Sequence, residues 1–328
     1  MKLEQRFAPR VVFLGTETWG SETLEHLATR CDDLVVYGLP ASTPPAFAPP
    51  FGTSVATVAR RHSLRFVTTD VAGDETVLRS LLAERPSLLI SSNWRRKLTA
   101  PTLRAATLGA FNVHASLLPA YRGSAPIVAA IANGDSESGL TIHRMVEALD
   151  AGPIASQTRF EIGPDDTVEQ VLIRALGAMP ALLDAFLFDL ARERLPTRDQ
   201  CENAATWTAG LARDFRTIDI TWSARRVHDR VRALSFPYPG ALLVVDETST
   251  WIAGASRVVE HDVHEFGAGD ASEYRGGLLL RCGGCEPAGA WVWLGSLQDE
   301  RGRPIDVRTI RSVTRIPPPR PPHDDPRP

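Results

Sequence analysis

Apolar and polar positions alternate in blocks along the first third of the chain. Val11–Gly15 is a short apolar run closed by glycine. Residues 18–30 follow with Leu24, Leu27 and Ala28 at helical spacing, which predicts a helix with one buried face. The pattern then repeats. Residues 34–39 read as a strand, 54–62 as a helix, 65–68 as a strand, 75–84 as a helix, and 87–91 and 110–114 as strands. Residues 41–52 hold four prolines and no period, so they read as a loop. Strands alternating with helices at this spacing predict a parallel α/β sheet. In such sheets ligands sit beyond the carboxyl ends of the strands. Gly15, Ser92-Asn93 and the stretch from Asn112 to His114 all fall at strand ends, which puts three loops on one rim.

The second half changes style. Asp166-Thr167-Val168-Glu169 has the form of a capping box and opens an apolar helix directed toward Arg194, with Pro180 as the expected kink. Residues 196–206 are polar and aperiodic and read as a linker. Beyond Trp207 one amphipathic helix is expected near Ala224–Leu234. Short strand-like runs follow at 241–245, 249–252, 277–281 and 290–295, separated by glycines. The predicted organisation is a catalytic α/β domain over 1–195, a linker over 196–206, a small β-rich domain over 207–316 and a disordered Pro-rich tail over 317–328. His228 lies with Arg225, Arg226, Arg230 and Arg232 on the predicted helix, a run expected to form a solvated face.

Composition narrows the classes. With 328 residues, 43% hydrophobic and 23% charged, the chain has room for two domains and a large core. The net charge of −3 supplies no field to attract nucleic acid or anionic membrane. No apolar run approaches the roughly 20 residues that cross a bilayer. Residues 1–10 are charged and lack an apolar signal core, so a cytoplasmic protein is expected. Cys31, Cys201, Cys282 and Cys285 provide one Cys-Gly-Gly-Cys and no second pair, so no metal is expected. Gly15-Thr16-Glu17-Thr18-Trp19-Gly20 lacks the three-glycine dinucleotide pattern and reads as a strand-to-helix turn.

The candidate chemistry lies between Phe111 and Asp150. Asn112 and His114 are two apart, so on a strand they point the same way. Asp150 stands 36 positions past the histidine in a Gly-marked turn. An amide, an imidazole and a carboxylate together can hold an oxyanion, move a proton and orient the base.

Several ordered elements carry a resemblance. They are Val12-Phe13-Leu14-Gly15-Thr16, Asn112-Val113-His114-Ala115-Ser116-Leu117-Leu118-Pro119, Tyr121-Arg122-Gly123, Ile131-Ala132-Asn133-Gly134-Asp135, Gly139-Leu140-Thr141-Ile142-His143 and Leu149-Asp150-Ala151-Gly152-Pro153-Ile154. Together they resemble the formyltransferases that use 10-formyl-tetrahydrofolate, across about residues 10–245. The resemblance implies a Rossmann-like domain followed by a small open β-barrel domain, with 10-formyl-tetrahydrofolate as co-substrate and Asn112, His114 and Asp150 as catalytic residues. It puts the folate pocket at Ser92, Asn93, Trp94 and Arg95, with Leu149, Ala151 and Gly152 beside it. It places Ser116, Tyr121, Arg122, Gly123 and His143 on the acceptor side, with Arg122 able to meet an anionic group. Family members often carry Trp directly after the Ile218-Asp219 pair, where this chain has Ile220.

The acceptor is less constrained. Methionyl-tRNA, an acceptor known in the family, requires a large basic surface, and residues 41–50 contain no Lys or Arg. Thr18-Trp19-Gly20 and Ser92-Asn93-Trp94-Arg95 resemble hydroxyornithine formyltransferases. Tyr121-Arg122-Gly123, His143-Arg144-Met145 and Pro237-Tyr238-Pro239-Gly240-Ala241 resemble nucleotide amino-sugar formyltransferases. The expected acceptor is a small primary amine or hydroxylamine of a secondary-metabolite or cell-surface pathway. The alternatives are methionyl-tRNA, hydrolysis of 10-formyl-tetrahydrofolate, and a catalytically silent folate-binding module.

Overall fold

A computed structural model describes residues 6–39, 53–69, 74–245, 250–260, 271–283 and 290–309. The expected loop at 41–52, the Pro-rich tail and Cys285 lie outside these residues. By contact density the chain divides into two compact units. The first comprises residues 1–126, 137–161 and 172–208, and the second 127–136, 162–171 and 209–328.

The first unit is built on a seven-stranded sheet. In chain order it uses β1 (Val11–Gly15), α1 (Glu17–Arg30), β2 (Leu34–Gly38), α2 (Val55–Arg61), β3 (Arg65–Thr68), α3 (Asp74–Glu84), β4 (Leu88–Ser92), α4 (Ala100–Leu103) and β5 (Gly109–His114). The order across the sheet is β3-β2-β1-β4-β5, all parallel, continued by β7 (Glu137–Arg144) and β8 (Ile154–Glu161), which run antiparallel. The sheet is therefore mixed, and β7 and β8 are absent from the sequence-based expectation. β7 is buried over Ser138–His143, so both of its faces are covered and no period-2 signal marks it. Between these strands come the short β6 (Arg122–Ser124) and α5 (Pro126–Ala132). The strands β1, β2 and β4 are buried at every position, as a sheet covered on both faces requires.

The expected apolar helix is α6 (Val168–Ala191); at 24 residues it is apolar enough to cross a membrane by length and composition, which corrects the expectation that no apolar run approaches that length. Its Leu172, Ala175, Met179, Leu183, Phe186 and Leu187 are nevertheless buried in the fold. Asp184 is tied to α1 by His26 and Arg30 at 2.7 Å each. Phe186 meets Phe111 of β5 edge to face at 4.9 Å, so the helix supports the site-bearing strand directly. Phe186→Ala is expected to cost about 3–5 kcal/mol, read as a lowered denaturation midpoint. Pro180 sits inside α6 without ending it. The capping box is displaced by one residue. Gln170 accepts from the Thr167 backbone N–H at 2.8 Å, while Asp166 accepts from the N–H of Gly163 at 2.7 Å.

The second unit holds α7 (Arg213–Arg216), α8 (Ala224–Leu234) and two antiparallel sheets. Numbering β9 (Trp207–Ala209) first, one sheet is β10 (Ala241–Val244), β11 (Thr250–Ala253) and β16 (Gln298–Asp299). The other, in the order β12-β15-β14-β13, uses β12 (Ala255–Glu260), β13 (Ala271–Tyr274), β14 (Gly277–Arg281) and β15 (Ala290–Gly295). This is the expected β-rich architecture. The expected solvated face of α8 holds only at Arg226, which is exposed, and in part at Arg225. His228, Arg230 and Arg232 are buried. Arg232 pairs with Asp229 at 2.7 Å, and Arg230 stacks on Phe215 and Trp222 at 4.2 and 5.0 Å. Counter-ions and aromatic faces within the unit replace water around these side chains. Burial lowers the Arg230 guanidinium to about 10.

Candidate active site

The site forms where β5 meets its two neighbours. In register, Asn112 lies beside Ser91 of β4 and directly opposite His143 of β7. The Ser91 hydroxyl donates to Asn112 Oδ1 at 2.7 Å. That bond fixes the amide, because a hydroxyl donor requires the carbonyl end. Asn112 Nδ2 therefore faces outward, 3.3 Å from His143 Nε2. The β7–β8 pairing shifts register between Ile142 and His143, an irregularity of the sort that re-aims a side chain beside a site. His143 Nδ1 lies 3.1 Å from the Arg144 carbonyl, which makes Nδ1–H the donor and leaves Nε2 toward Asn112 and Asp150.

His114 ends β5 and is buried. Its Nε2 lies 2.9 Å from the Tyr121 carbonyl, so that nitrogen carries the hydrogen and Nδ1 carries the lone pair of the neutral ring. Nδ1 stands 3.6 Å from Asp150 Oδ2, longer than a hydrogen bond but close enough for strong charge coupling. Burial pushes the imidazole below its ordinary value of 6.5. The Asp150 charge opposes that shift, the neighbouring His143 adds to it, and the Tyr121 carbonyl opposes it.

Asp150 reaches the site because the chain folds back after β7. Arg144 N–H donates to the Pro153 carbonyl at 2.9 Å and closes the intervening loop. At its tip Asp150 adopts a left-handed φ of 51°. Oδ2 accepts the Gly123 N–H at 2.9 Å, and Oδ1 lies 3.4 Å from His143 Nε2. Burial alone would raise this carboxyl. The coulombic pull of His114, the His143 contact and the Gly123 N–H outweigh it, and the group is held well below the usual carboxylate range.

The loops after β1 and β4 clasp each other at the same rim. Asn93 has φ 54° and Glu17 has φ 55°. Asn93 Nδ2 donates to Glu17 Oε2 at 3.0 Å, Thr16 donates to the Asn93 carbonyl, and Arg95 pairs closely with Glu17. The Ser92 side chain turns inward, meeting Thr23 Oγ1 at 2.9 Å and the Trp19 carbonyl at 3.2 Å, so it is available for packing rather than for ligand contact. Trp94 packs on the sheet core, and its buried Nε1 has no partner among the described residues. Leu149 is exposed and Gly152 is buried. A Cβ at Gly152 would stand 1.8 Å from the Arg144 carbonyl.

The acceptor-side expectations need correction at two positions. Arg122 is only 1% exposed, and its guanidinium is engaged by Gln200 at 2.9 and 3.1 Å and by Glu202 at 2.6 and 2.9 Å. It serves the interior rather than an anionic substrate. Ser116 is fully buried and donates to the Ala120 carbonyl at 2.6 Å. Tyr121 and Gly123 act through their backbones, as the acceptor for His114 and the donor to Asp150. Gly123 has φ 105° and passes so close to the Thr208 carbonyl that a Cβ would lie 2.5 Å from it. Sequence reasoning missed Gln200 and Glu202. They stand in the polar 196–206 stretch, where only the composition was visible. Among the described residues no group of three His, Cys, Asp or Glu is arranged to hold a metal.

Comparison with known proteins agrees with this architecture. Residues 10–184 match the family model described as formyl transferase, and residues 211–313 match the formyl transferase C-terminal domain. Methionyl-tRNA formyltransferase of Thermotoga maritima is 30% identical over 253 residues, covering 76% of this chain and 80% of that protein. The methionyl-tRNA formyltransferase of Staphylococcus epidermidis is 33% identical over 249 residues, covering 73% of this chain and 76% of that one. Among solved structures, an N-formyltransferase from Helicobacter canadensis in complex with folinic acid and dTDP-3-aminofucose superposes with a TM-score of 0.68 at 16% identity. That match covers 87% of this chain and 98% of that one. The chain belongs to the formyl transferase family, whose members are enzymes of formyl-group transfer.

Proposed function

We propose that this enzyme moves the formyl group of 10-formyl-tetrahydrofolate onto the primary amine or hydroxylamine of a small molecule, with Asn112, His114 and Asp150 as its catalytic residues. The convergence of these three side chains at the carboxyl end of β5 carries the reading. Bound 10-formyl-tetrahydrofolate would supply an activated formyl carbon. The site fits such a group: the Asn112 amide nitrogen carries two N–H groups, of which His143 Nε2 can take only one, and the rim clasp of Glu17, Asn93 and Arg95 supplies polar groups beside it. Asn112 Nδ2 donates to the charge that develops on the formyl oxygen, an interaction typically worth roughly 2.7–4 kcal/mol. His114 Nδ1 accepts the proton shed by the attacking amine and returns it to the folate nitrogen as the bond from that nitrogen to the formyl carbon breaks and tetrahydrofolate leaves. Asp150 stabilises the resulting imidazolium through its charge.

Two observations favour a small acceptor: the net charge of −3, and a 41–50 segment with no Lys or Arg. The Helicobacter canadensis neighbour, solved with a nucleotide amino sugar, is consistent with it. The second reading, methionyl-tRNA as acceptor, is favoured by the curated relatives at 30–33% identity. Free thiols at Cys31 and Cys201 suit the reducing cytoplasm. The test is tetrahydrofolate release from 10-formyl-tetrahydrofolate against a panel of nucleotide amino sugars, hydroxyornithine and methionyl-tRNA. Release driven by a soluble amine is the expected result. Release driven by methionyl-tRNA alone overturns the acceptor class, and release with no amine at all identifies a hydrolase.

A further inference from the structure

We propose that Gln200 is a positioning residue for this site: from the 196–206 segment it clamps the Asp150–Gly152 turn and thereby sets the approach of the Asp150 carboxylate to His114. The inference rests on the formyl-transfer reading of the same three residues.

Four bonds define the clamp. Gln200 Nε2 donates to the Asp150 carbonyl and to the Gly152 carbonyl, both at 2.7 Å. Its Oε1 accepts from Arg122 Nε at 3.1 Å and Nη2 at 2.9 Å. The amide orientation is forced, because a guanidinium only donates and must meet the oxygen. Both N–H groups are therefore directed at the turn. The turn needs such support. Asp150 has φ 51°, a conformation that persists in a non-glycine residue when its surroundings hold it there. Gly152 has no room to move toward Arg144, whose carbonyl already lies within a Cβ radius.

The anchor of the clamp is itself fixed. Arg122 is buried, and a buried cation must be paired. Glu202 gives it a bidentate partner at 2.6 and 2.9 Å, and the Trp207 ring lies 5.4 Å from its guanidinium carbon. The hydrogen bond from Arg122 holds the Glu202 carboxyl below its ordinary range. The Arg122 backbone N–H donates to the Thr206 carbonyl at 2.8 Å, and β6 pairs with β9 beyond it. The very next N–H, that of Gly123, holds the Asp150 carboxylate at 2.9 Å. One short strand thus grips Asp150 twice: through Gly123 at the carboxylate, and through Arg122 and Gln200 at the backbone. A stretch with the composition of a linker is a strap over the catalytic turn.

The test reads the His114 imidazole by NMR pH titration in the protein without substrates, for wild type, Gln200→Leu and Gln200→Glu, with kcat and KM measured beside it. Gln200→Glu keeps an acceptor for Arg122 and loses both donors to the turn, so it separates the clamp from the burial of Arg122. In Gln200→Leu, which adds no charge, the His114 titration is expected to fall by about one pH unit as the carboxylate charge withdraws; in Gln200→Glu the new carboxylate offsets part of that fall. In both variants kcat is expected to drop on the order of a hundredfold, with KM for 10-formyl-tetrahydrofolate within about twofold of wild type. An unchanged or raised His114 titration in Gln200→Leu overturns the proposal, whatever happens to turnover. The titration needs no acceptor. If wild type transferred no formyl group, that would end the functional reading, while the clamp would still be decided.

Discussion

His114→Ala is expected to lower formyl-transfer turnover on the order of a thousandfold while 10-formyl-tetrahydrofolate still binds. General base catalysis by a positioned side chain contributes factors of roughly a hundred to ten thousand, and His114 is placed for it. Nε2 is committed to the Tyr121 carbonyl at 2.9 Å, which leaves Nδ1 as the proton-accepting atom. The depressed imidazole value keeps the ring neutral and able to act at pH 7. The acid limb of kcat/KM accordingly lies below the ordinary imidazole value of about 6.5. The same shift has a stability consequence. His114 is neutral in the folded protein where the unfolded chain would be protonated. Its contribution is intact above about pH 6.5 and is lost as the pH falls from there toward the folded value. Single-turnover kinetics and folate binding on the purified variant check the first part. Equal turnover in wild type and variant would remove His114 from the reaction.

Asp150→Asn is expected to lower turnover to a similar extent, on the order of a thousandfold, by the logic of a carboxylate that orients and charges a catalytic histidine. The substitution preserves shape and removes charge. In the native site Asp150 is ionised across the working range, because His114, His143 and the Gly123 N–H together outweigh its burial. Its charge is the principal influence raising the His114 value. Removing it moves the acid limb of kcat/KM further down in pH, and the imidazolium formed during transfer loses its counter-charge. A pH profile of the variant separates this account from simple misfolding, since a structural defect would lower the plateau without moving the limb. The depressed carboxyl also stabilises the fold above about pH 4, and that stability fades as acid titrates it. The asparagine variant should show a flatter dependence of Tm on pH in that range.

The order of strands and helices through β5 was legible because buried parallel strands are continuous apolar runs and the helices between them keep a 3.6-residue period. Every expected element there lies within a residue or two of its place. Asn112 and His114 were legible for a local reason: two positions on one strand share a face. The parts that escaped are those whose partners are remote in sequence. β7 carries Ser, Gly, Thr and His at buried positions, so its covered faces left no pattern, and β8 buries only Ile154, Ala155 and Phe160. Arg230 of α8 read as solvated because nothing in the helix announces that Phe215 and Trp222 fold against it.

By itself the sequence determined the α/β-then-β organisation, the rim on which the candidate site lies and the strand that presents the amide and the imidazole, since each depends on periodicity within a short window. The tertiary structure alone decided which nitrogen of His114 is available, that Arg122 turns inward, and that Gln200 and Glu202 belong with the Asp150 turn. Those outcomes depend on which hydrogen-bond donor finds which acceptor once distant segments meet. A spacing of 50 residues between Asp150 and Gln200 leaves no periodic trace, and only the folded chain makes them neighbours.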